Sequence, residues 1–120
     1  MPNKKLLSNL PACPVEVTLL LLSNKWTILI LRDLFTGTKR FGELKKSLNG
    51  VSQKVLTANL RSLEEKGIIE REVFPEVPPR VEYRLTDLGK TLDPIIKSMH
   101  DWGEFYKSIF QKEVSLLIMS

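Results

Sequence analysis

The sequence predicts an α+β domain that is mainly helical, in which several helices precede a β-hairpin and a long helix closes the chain. Apolar residues recur at helical spacing through residues 14–66 and again from residue 86 onward. Between these stretches, prolines at positions 75, 78 and 79 separate two short runs with the alternation of strands. With 120 residues, of which 42% are hydrophobic and 27% charged, the chain has the size and composition of one globular domain.

Start and stop signals mark the predicted elements. Pro14 fits the first position of the first helix, and Gly37 follows the end of the second. Ser52 is a good N-cap for the fourth helix, which Gly67 closes. In chain order, the predicted helices and strands run over residues 14–22, 25–35, 41–48, 52–66, 68–74, 81–85 and 86–109.

These elements are expected to form a single domain over residues 1–120. Its core is expected at residues 13–106, and residues 110–120 are left as a short C-terminal tail. Pro94 lies inside the last predicted helix, and it is expected to kink that helix because it removes a backbone hydrogen bond and clashes one turn back.

A short helix, a turn that contains Asn49-Gly50 and a second helix form a helix-turn-helix pattern. At 100° per residue, the second helix has an inward side of Val55, Leu56, Leu60 and Leu63 and an outward side of Lys54, Thr57, Ala58 and Arg61, with Gln53 at its edge. Long donors beside small residues are what a helix needs to enter the major groove and reach base edges. The alternative is an ordinary solvated helix face.

Basic charge is concentrated beside this unit. The net charge of the chain is +4, and its isoelectric point is about 9.3. Residues 38–54 hold five basic side chains, including Arg40, and one acid, Glu43, so this segment alone has a net charge of +4. Such a segment favours a polyanionic partner. Double-stranded DNA is the expected partner, and an acidic protein is the alternative.

The predicted hairpin would extend from this unit as the wing of a winged helix-turn-helix. Arg80 and Arg84 flank residues 81–83 of its second strand, and an arginine in such a loop can reach the minor groove or a phosphate. We expect Arg80 to contact DNA. Arg84 has an alternative partner, because Glu70 or Glu72 can pair with it across the strands.

The last predicted helix carries an apolar stripe with the 4-3-4-3-4 spacing of paired helices. The stripe consists of Leu88, Leu92, Ile95, Met99, Trp102 and Tyr106. Packing onto the domain's own core is the alternative, and we expect the stripe to serve partly the core and partly a homodimer interface.

A single cysteine, Cys13, excludes an intramolecular disulfide framework and predicts a cytoplasmic protein. Lys4 and Lys5 precede it without the about 7–15 consecutive apolar residues of a signal peptide, and the longer apolar stretches are too short to span a membrane. Directly before Pro14, Cys13 lies at a helix N-terminus, which stabilises a thiolate that reacts with oxidants or electrophiles. The alternative is an inert residue packed beside Trp26.

Catalysis and metal binding are not expected. His100 is the only histidine, and the sequence has no nucleophile motif, phosphate-binding loop or metal-ligand spacing. We therefore expect a protein that is not an enzyme, with no catalytic residue, no metal site and no cofactor.

Several separated motifs, in this order, closely resemble those of the HxlR family of bacterial winged helix regulators, which are relatives of the MarR group. The motifs are Asn24-Lys25-Trp26-Thr27, Ile30-Leu31-Arg32-Asp33-Leu34, Arg40-Phe41-Gly42-Glu43-Leu44, Ser52-Gln53-Lys54-Val55-Leu56, Leu63-Glu64, Gly67-Ile68-Ile69, Pro78-Pro79-Arg80-Val81-Glu82-Tyr83, Leu85-Thr86 and Trp102-Gly103. The match covers roughly residues 13–106.

The resemblance implies a dimeric DNA-binding regulator, and repression is the expected mode. The residues that it implies on the recognition helix are Ser52, Gln53, Lys54, Thr57 and Arg61, with Arg80 on the wing. Cys13-Pro14 matches a position that senses oxidants or electrophiles in some members. Because no second cysteine exists, a switch between two different cysteines is excluded. The expected protein is a homodimeric repressor on an inverted-repeat operator, with no membrane partner and an effector that the sequence does not identify.

Overall fold

The computed structural model describes residues 9–22 and 24–119, and the predictions that fall on residues 1–8, 23 and 120 lie outside this part. The described helices and strands, in chain order, are α1 Pro14–Leu21, α2 Lys25–Leu34, β1 Lys39–Arg40, α3 Phe41–Ser47, α4 Gln53–Glu65, β2 Ile69–Phe74, β3 Arg80–Leu85, α5 Asp87–Lys90 and α6 Asp93–Met119. This is the mainly helical α+β architecture that the sequence predicts.

The predicted start and stop signals act where the sequence places them. Pro14 opens α1 at its first position, where its missing N–H would have had no intrahelical partner. Ser52 caps α4, since its Oγ accepts a hydrogen bond from the backbone N–H of Val55 at 3.1 Å. Gly67 follows α4 with φ 76°, a left-handed conformation that ends helices and that other L-residues rarely adopt.

The prediction of one long helix over residues 86–109 with a kink at Pro94 was wrong. A short helix, α5, ends at Lys90, and α6 begins at Asp93. Pro94 therefore occupies the second position of a new helix, where its missing N–H breaks no hydrogen bond and its fixed φ suits the first turn. Residues 110–119, for which the sequence predicts a tail, continue α6 to Met119.

A third strand, which the sequence did not predict, joins the hairpin. The sheet has the order β1-β3-β2, and both pairings are antiparallel. Lys39 lies opposite Tyr83 in the first pairing, and Ile69 lies opposite Leu85 in the second. Two residues are too few for the period-two alternation that reveals a strand, so β1 depends on its partner β3.

The core lies between α2, α3, α4 and the inner face of the sheet. Its largest fully buried side chains are Ile30, Leu31, Leu44, Leu48, Leu56, Leu60, Leu63 and Ile69. Tyr83 and Leu85 contribute from β3, and both are 8% exposed. In α1, all of whose residues are described, no side chain is fully buried. The first helix thus packs at the margin of the domain.

Among the described residues, no single helix is long and apolar enough to cross a membrane. Only α1 and α2 taken together reach that length and hydropathy, and the two are bent by 77° relative to each other. In α2 the side chains of Ile30, Leu31 and Leu34 are buried in the core.

Candidate nucleic-acid interface

The second helix of the helix-turn-helix, α4, has a buried side and an outward side. Leu56, Leu60 and Leu63 are at most 2% exposed and hold one side of α4 against the core. Val55, which we expected on that inward side, is 37% exposed, because it lies at the border between the two sides. The three leucines therefore determine which side of α4 faces the core and which faces away from it.

The outward side of α4 holds the predicted set of long donors and small residues. Gln53, Lys54, Ala58 and Arg61 are exposed, and Thr57 is half-buried. Asp and Glu are absent from residues 53–63, so no carboxylate on these turns opposes a phosphate. Ser52 is also exposed, and its hydroxyl oxygen serves the N-cap of α4.

Further exposed cations lie on α3, which precedes α4. Arg40 precedes the first residue of α3, and its backbone N–H donates to Glu43 Oε1 at 2.9 Å. The side chains of Lys45 and Lys46 are exposed in the last turn. The one acid of this basic segment is thus used to cap the helix, and the cations remain at the surface.

Arg80 lies at the start of β3 and not at the tip of the wing, whose loop covers residues 75–79. Its guanidinium carbon lies 4.0 Å from the centroid of the Phe74 ring, its Nη1 lies 3.2 Å from Glu76 Oε1, and its Nε lies 3.3 Å from Glu82 Oε2. The side chain is 26% exposed. A phosphate at Arg80 would have to compete with two carboxylates. Glutamates at positions 76 and 82, close to Arg80 in sequence, are the signal from which this pairing is predictable.

Arg84 pairs across the hairpin, which confirms the alternative that its sequence neighbours suggested. Its Nη1 lies 2.7 Å from Glu72 Oε1, and its Nε lies 2.9 Å from Glu70 Oε1. These hydrogen bonds, first to Glu72 and then to Glu70, raise the pKa of the Arg84 guanidinium. Arg84 is therefore part of a charge ladder on the outer face of the sheet.

The inner face of the wing contacts α4. Tyr83 is buried under the sheet, and this burial raises the pKa of its hydroxyl. Arg71 Nε on β2 lies 3.5 Å from Glu64 Oε1 on α4. Wing and α4 are thus joined by an apolar contact and an ion pair, so they occupy a defined relative position.

The predicted apolar stripe is divided between two helices and the turn that joins them. Leu88 on α5 is 47% exposed, whereas Leu92 in the turn is 9% exposed and belongs to the core. The remaining members lie on α6 and are 37–63% exposed: Ile95, Met99, Trp102 and Tyr106. The rings of Trp102 and Tyr106 stack with centroids 5.3 Å apart. Leu92 thus belongs to the core, as expected for part of the stripe, and the expectation of a homodimer interface for the exposed members stays a prediction.

Exposed apolar side chains continue beyond the predicted stripe. They are Phe105, Ile109, Phe110, Val114, Leu116, Leu117, Ile118 and Met119. A depression of about 600 Å³ lies on the same helix, lined by Pro94, Ile95, Ser98, Met99 and Trp102. An apolar surface of this extent is typical of an interaction site. Its C-terminal half was not predicted, because the predicted helix ends at residue 109 and α6 continues to Met119.

Cys13, the candidate redox sensor, and His100, the single histidine, both lie at the surface. Cys13 is exposed at the N-cap of α1, and its carbonyl accepts a hydrogen bond from Val17 N–H at 3.1 Å. This exposure differs from the half-buried packing position beside Trp26. His100 is exposed on α6, with Nδ1 3.3 Å from Asp101 Oδ1. Across residues 9–22 and 24–119, no group of three His, Cys, Asp or Glu side chains is arranged to hold a metal ion.

The helix-turn-helix, the β2–β3 hairpin and the third strand β1 together define a winged helix domain. Proteins of this class bind DNA through the second helix and the wing. The family model of the HxlR-like helix-turn-helix matches residues 21–110. The chain therefore belongs to the HxlR family of winged helix regulators.

Relatives and solved structures agree with this assignment. The HTH-type transcriptional regulator YdeP of Bacillus subtilis (strain 168) is 49% identical over 100 residues, which cover 83% of this chain and 78% of that protein. The redox regulator HypR in its oxidized form is 46% identical and superposes with a TM-score of 0.74 over 77% of this chain and 95% of that one. The transcriptional regulator YodB from B. subtilis in its reduced form is 38% identical, with a TM-score of 0.67 over 78% and 93% of the two chains. The chain is thus a DNA-binding transcriptional regulator and not an enzyme.

Proposed function

We propose that this regulator represses transcription by binding an inverted-repeat operator as a homodimer. The observation that carries the proposal is the outward side of α4, where Lys54 and Arg61 are exposed and no carboxylate interrupts residues 53–63. Because the other side of α4 is held by buried leucines, this surface is the part of the helix that can face a partner.

In this proposal α4 lies in the major groove and α3 lies above the phosphates. Lys54 and Arg61 supply long donors to base edges or phosphates, and Ala58 lets the helix approach closely. Arg40, Lys45 and Lys46 supply sequence-independent affinity from α3. Arg80 is the proposed backbone contact of the wing, where a phosphate has to displace Glu76 or Glu82 from its guanidinium.

The homodimer forms through α6. Ile95, Met99, Trp102 and Tyr106 recur along one side of the helix at the spacing of a paired helix. A twofold axis between two copies would place two α4 helices on the same face of the duplex. The operator is then an inverted repeat with half-sites about one helical turn, roughly 34 Å, apart.

A gel-shift titration with the DNA upstream of the protein's own gene tests the proposal. We expect a discrete complex on a duplex from this region and weaker binding to a scrambled duplex, with an affinity that falls steeply as salt is raised. A reporter gene under the same promoter should be less active when the protein is present. The proposed place of action is the cytoplasm, where a bacterial regulator meets its DNA. Equal and weak binding to both duplexes would instead favour the alternative of an acidic protein partner.

We further propose that Cys13 makes the regulator responsive to oxidants or electrophiles. Two features support this: Cys13 is exposed at the N-cap of α1, and the similar protein HypR is a redox regulator whose oxidized and reduced forms are both known. The products are limited to a bridge between the Cys13 thiols of two protomers, a mixed disulfide with a small thiol, or a direct adduct. A bridge requires the two α-carbons to come within about 7 Å.

Diamide or a quinone is therefore expected to release the wild-type protein from its operator, while the Cys13→Ser variant stays bound. Diamide takes two electrons and two protons from two thiols to form a disulfide, and a quinone adds directly to one thiolate. Gel shifts before and after treatment measure release, and intact mass identifies the product. Equal behaviour of the two proteins would leave Cys13 without a sensing role.

A further inference from the structure

Asn59 on α4 joins this helix to the start of α2. Its Oδ1 accepts hydrogen bonds from Asn24 Nδ2 at 3.0 Å and from Thr27 Oγ1 at 3.1 Å. Its Nδ2 donates to the backbone carbonyl of Val55, one turn earlier in α4, at 2.9 Å. Both polar atoms of this one amide are thus in use, and the oxygen carries the contact between the helices.

The roles of the atoms follow from the cap of α2. Asn24 Oδ1 accepts from the backbone N–H groups of Trp26 and Thr27 at 3.0 and 3.1 Å, so this atom is an acceptor. Asn24 Nδ2 is then the donor towards α4, and the atom that faces it must be the oxygen of Asn59. The same oxygen also accepts a hydrogen bond from the hydroxyl of Thr27, a residue that is 4% exposed. The cap of α2 and a buried hydroxyl therefore converge on one side chain of α4.

These hydrogen bonds constrain a motion that apolar packing leaves open. The leucines on the inward side of α4 make non-directional contacts, whereas hydrogen bonds weaken steeply with changes in length and angle. Asn59 lies between the inward and outward sides, so it resists rotation of α4 about its own axis. With side-chain tips about 5–6 Å from the axis, a rotation of about 20° moves Lys54 or Arg61 by about 2 Å. Donor–acceptor distances in N–H···O hydrogen bonds vary by only about 0.5 Å, so a displacement of about 2 Å would break a hydrogen bond to a base edge.

We propose that Asn24, Thr27 and Asn59 form a positioning latch that sets the rotation of α4 and thereby the sequence preference of the regulator. The three residues act through Lys54 and Arg61 and do not themselves contact DNA, so this inference rests on the proposed function. A separate contact holds the far end of α4 against α1, since Nζ of Lys66, the C-cap of α4, donates to the carbonyl of Leu20 at 3.0 Å.

Three substitutions remove the latch without removing a helix signal. Asn24→Ser keeps an N-cap oxygen and loses the amide donor, and Thr27→Val keeps the side-chain shape and loses the hydroxyl. Asn59→Ala removes the acceptor and introduces a strong helix former. Ser62→Ala is the matched control, because Ser62 lies three residues further along the same flank of α4 and makes no side-chain hydrogen bond among the described residues.

The readout is the ratio of affinities for two DNA duplexes. One is the duplex that the wild-type protein enriches most from a randomised library, and the other is a scrambled duplex of the same length and composition. Each latch variant is expected to lose about tenfold in affinity for the enriched duplex, the size of one base contact, and to keep its affinity and salt slope on the scrambled duplex. The Asn24→Ser, Asn59→Ala double variant should lose no more than Asn59→Ala, because both remove the same bond. Ser62→Ala should match the wild type.

Wild-type ratios in all three latch variants would overturn the inference. An equal fall on both duplexes that follows the loss of folded protein, measured by circular dichroism, would overturn it too and leave the three residues a purely structural role. If the wild type itself does not discriminate between the duplexes, the proposed function fails. If the wild type discriminates and Arg61→Ala weakens binding while the latch variants do not, only the latch fails.

Discussion

Replacing Arg61 or Lys54 with alanine is expected to weaken operator binding by about 1–3 kcal/mol in each case, which is about 5- to 150-fold in affinity. Both side chains are exposed on the outward side of α4, so their removal costs no core packing. Alanine also favours the helix, so the loss should appear in binding and not in stability. Lys97→Ala is the matched control, since it removes the same charge from α6, where the side chain is 72% exposed and pairs only with Asp93 among the described residues.

The same variants separate base contacts from phosphate contacts. A base contact is lost on the operator alone, and specificity relaxes at one position of each half-site. A phosphate contact is lost equally on any duplex, and the dependence of affinity on salt becomes shallower by about one unit per contact. Gel shifts at several salt concentrations on operator and scrambled DNA distinguish the two. Wild-type operator affinity in both variants would contradict the placement of α4 in the groove.

Introducing aspartate at Met99 or Tyr106 is expected to convert a dimer into a folded monomer. Both side chains are about half exposed in the single chain, at 49% and 57%, and both would be covered in a dimer formed through α6. An unpaired carboxylate in a covered apolar surface costs about 3–5 kcal/mol, which weakens association by about 150- to 5,000-fold. Sedimentation at micromolar concentration measures the change, and circular dichroism shows whether the chain remains folded.

The choice of residues matters because the stripe is not uniform. Leu92→Asp would place a carboxylate in the core, where the side chain is only 9% exposed, so it would unfold the domain instead of separating two copies. Gln111→Asp is the matched control, since Gln111 is exposed on α6 about 120° round the helix from Met99. The monomeric variants should also lose most of their operator affinity, because two half-sites are no longer bound together. A wild-type protein that sediments as a monomer, alone and on DNA, would contradict the proposed dimer.

Local signals in the sequence predicted most of the element boundaries. Capping by Ser52, helix initiation by Pro14 and termination by Gly67 each involve a few neighbouring residues, so they act in the same way in any fold. The side of α4 that faces outward was predictable for the same reason, because helical periodicity alone places the leucines opposite Arg61. The helix-turn-helix and its basic segment therefore follow from the sequence.

The position of Pro94 shows where local rules give two answers. Proline either kinks a helix or begins one, and the sequence around it reads as a continuous apolar period in both cases. In the structure Leu92 lies in the turn between α5 and α6 with its side chain buried in the core, and Pro94 follows in the first turn of α6. The sequence therefore predicts a single helix for the whole stripe. The division of the stripe between core and surface follows from the burial of Leu92, which the local pattern does not show.

The sequence by itself determined the class of protein, the recognition helix and the cations beside it, since these depend on residues within a few turns of one another. Only the tertiary structure decided the state of the wing arginines and the neighbours of α4. Arg80 is enclosed by Phe74, Glu76 and Glu82, and Asn59 meets Asn24 across two helices. The Asn59–Asn24 pairing depends on the angle between two helices, and the choice of Arg80 between DNA and its neighbouring glutamates depends on strand register; both are set by the packing of the whole core.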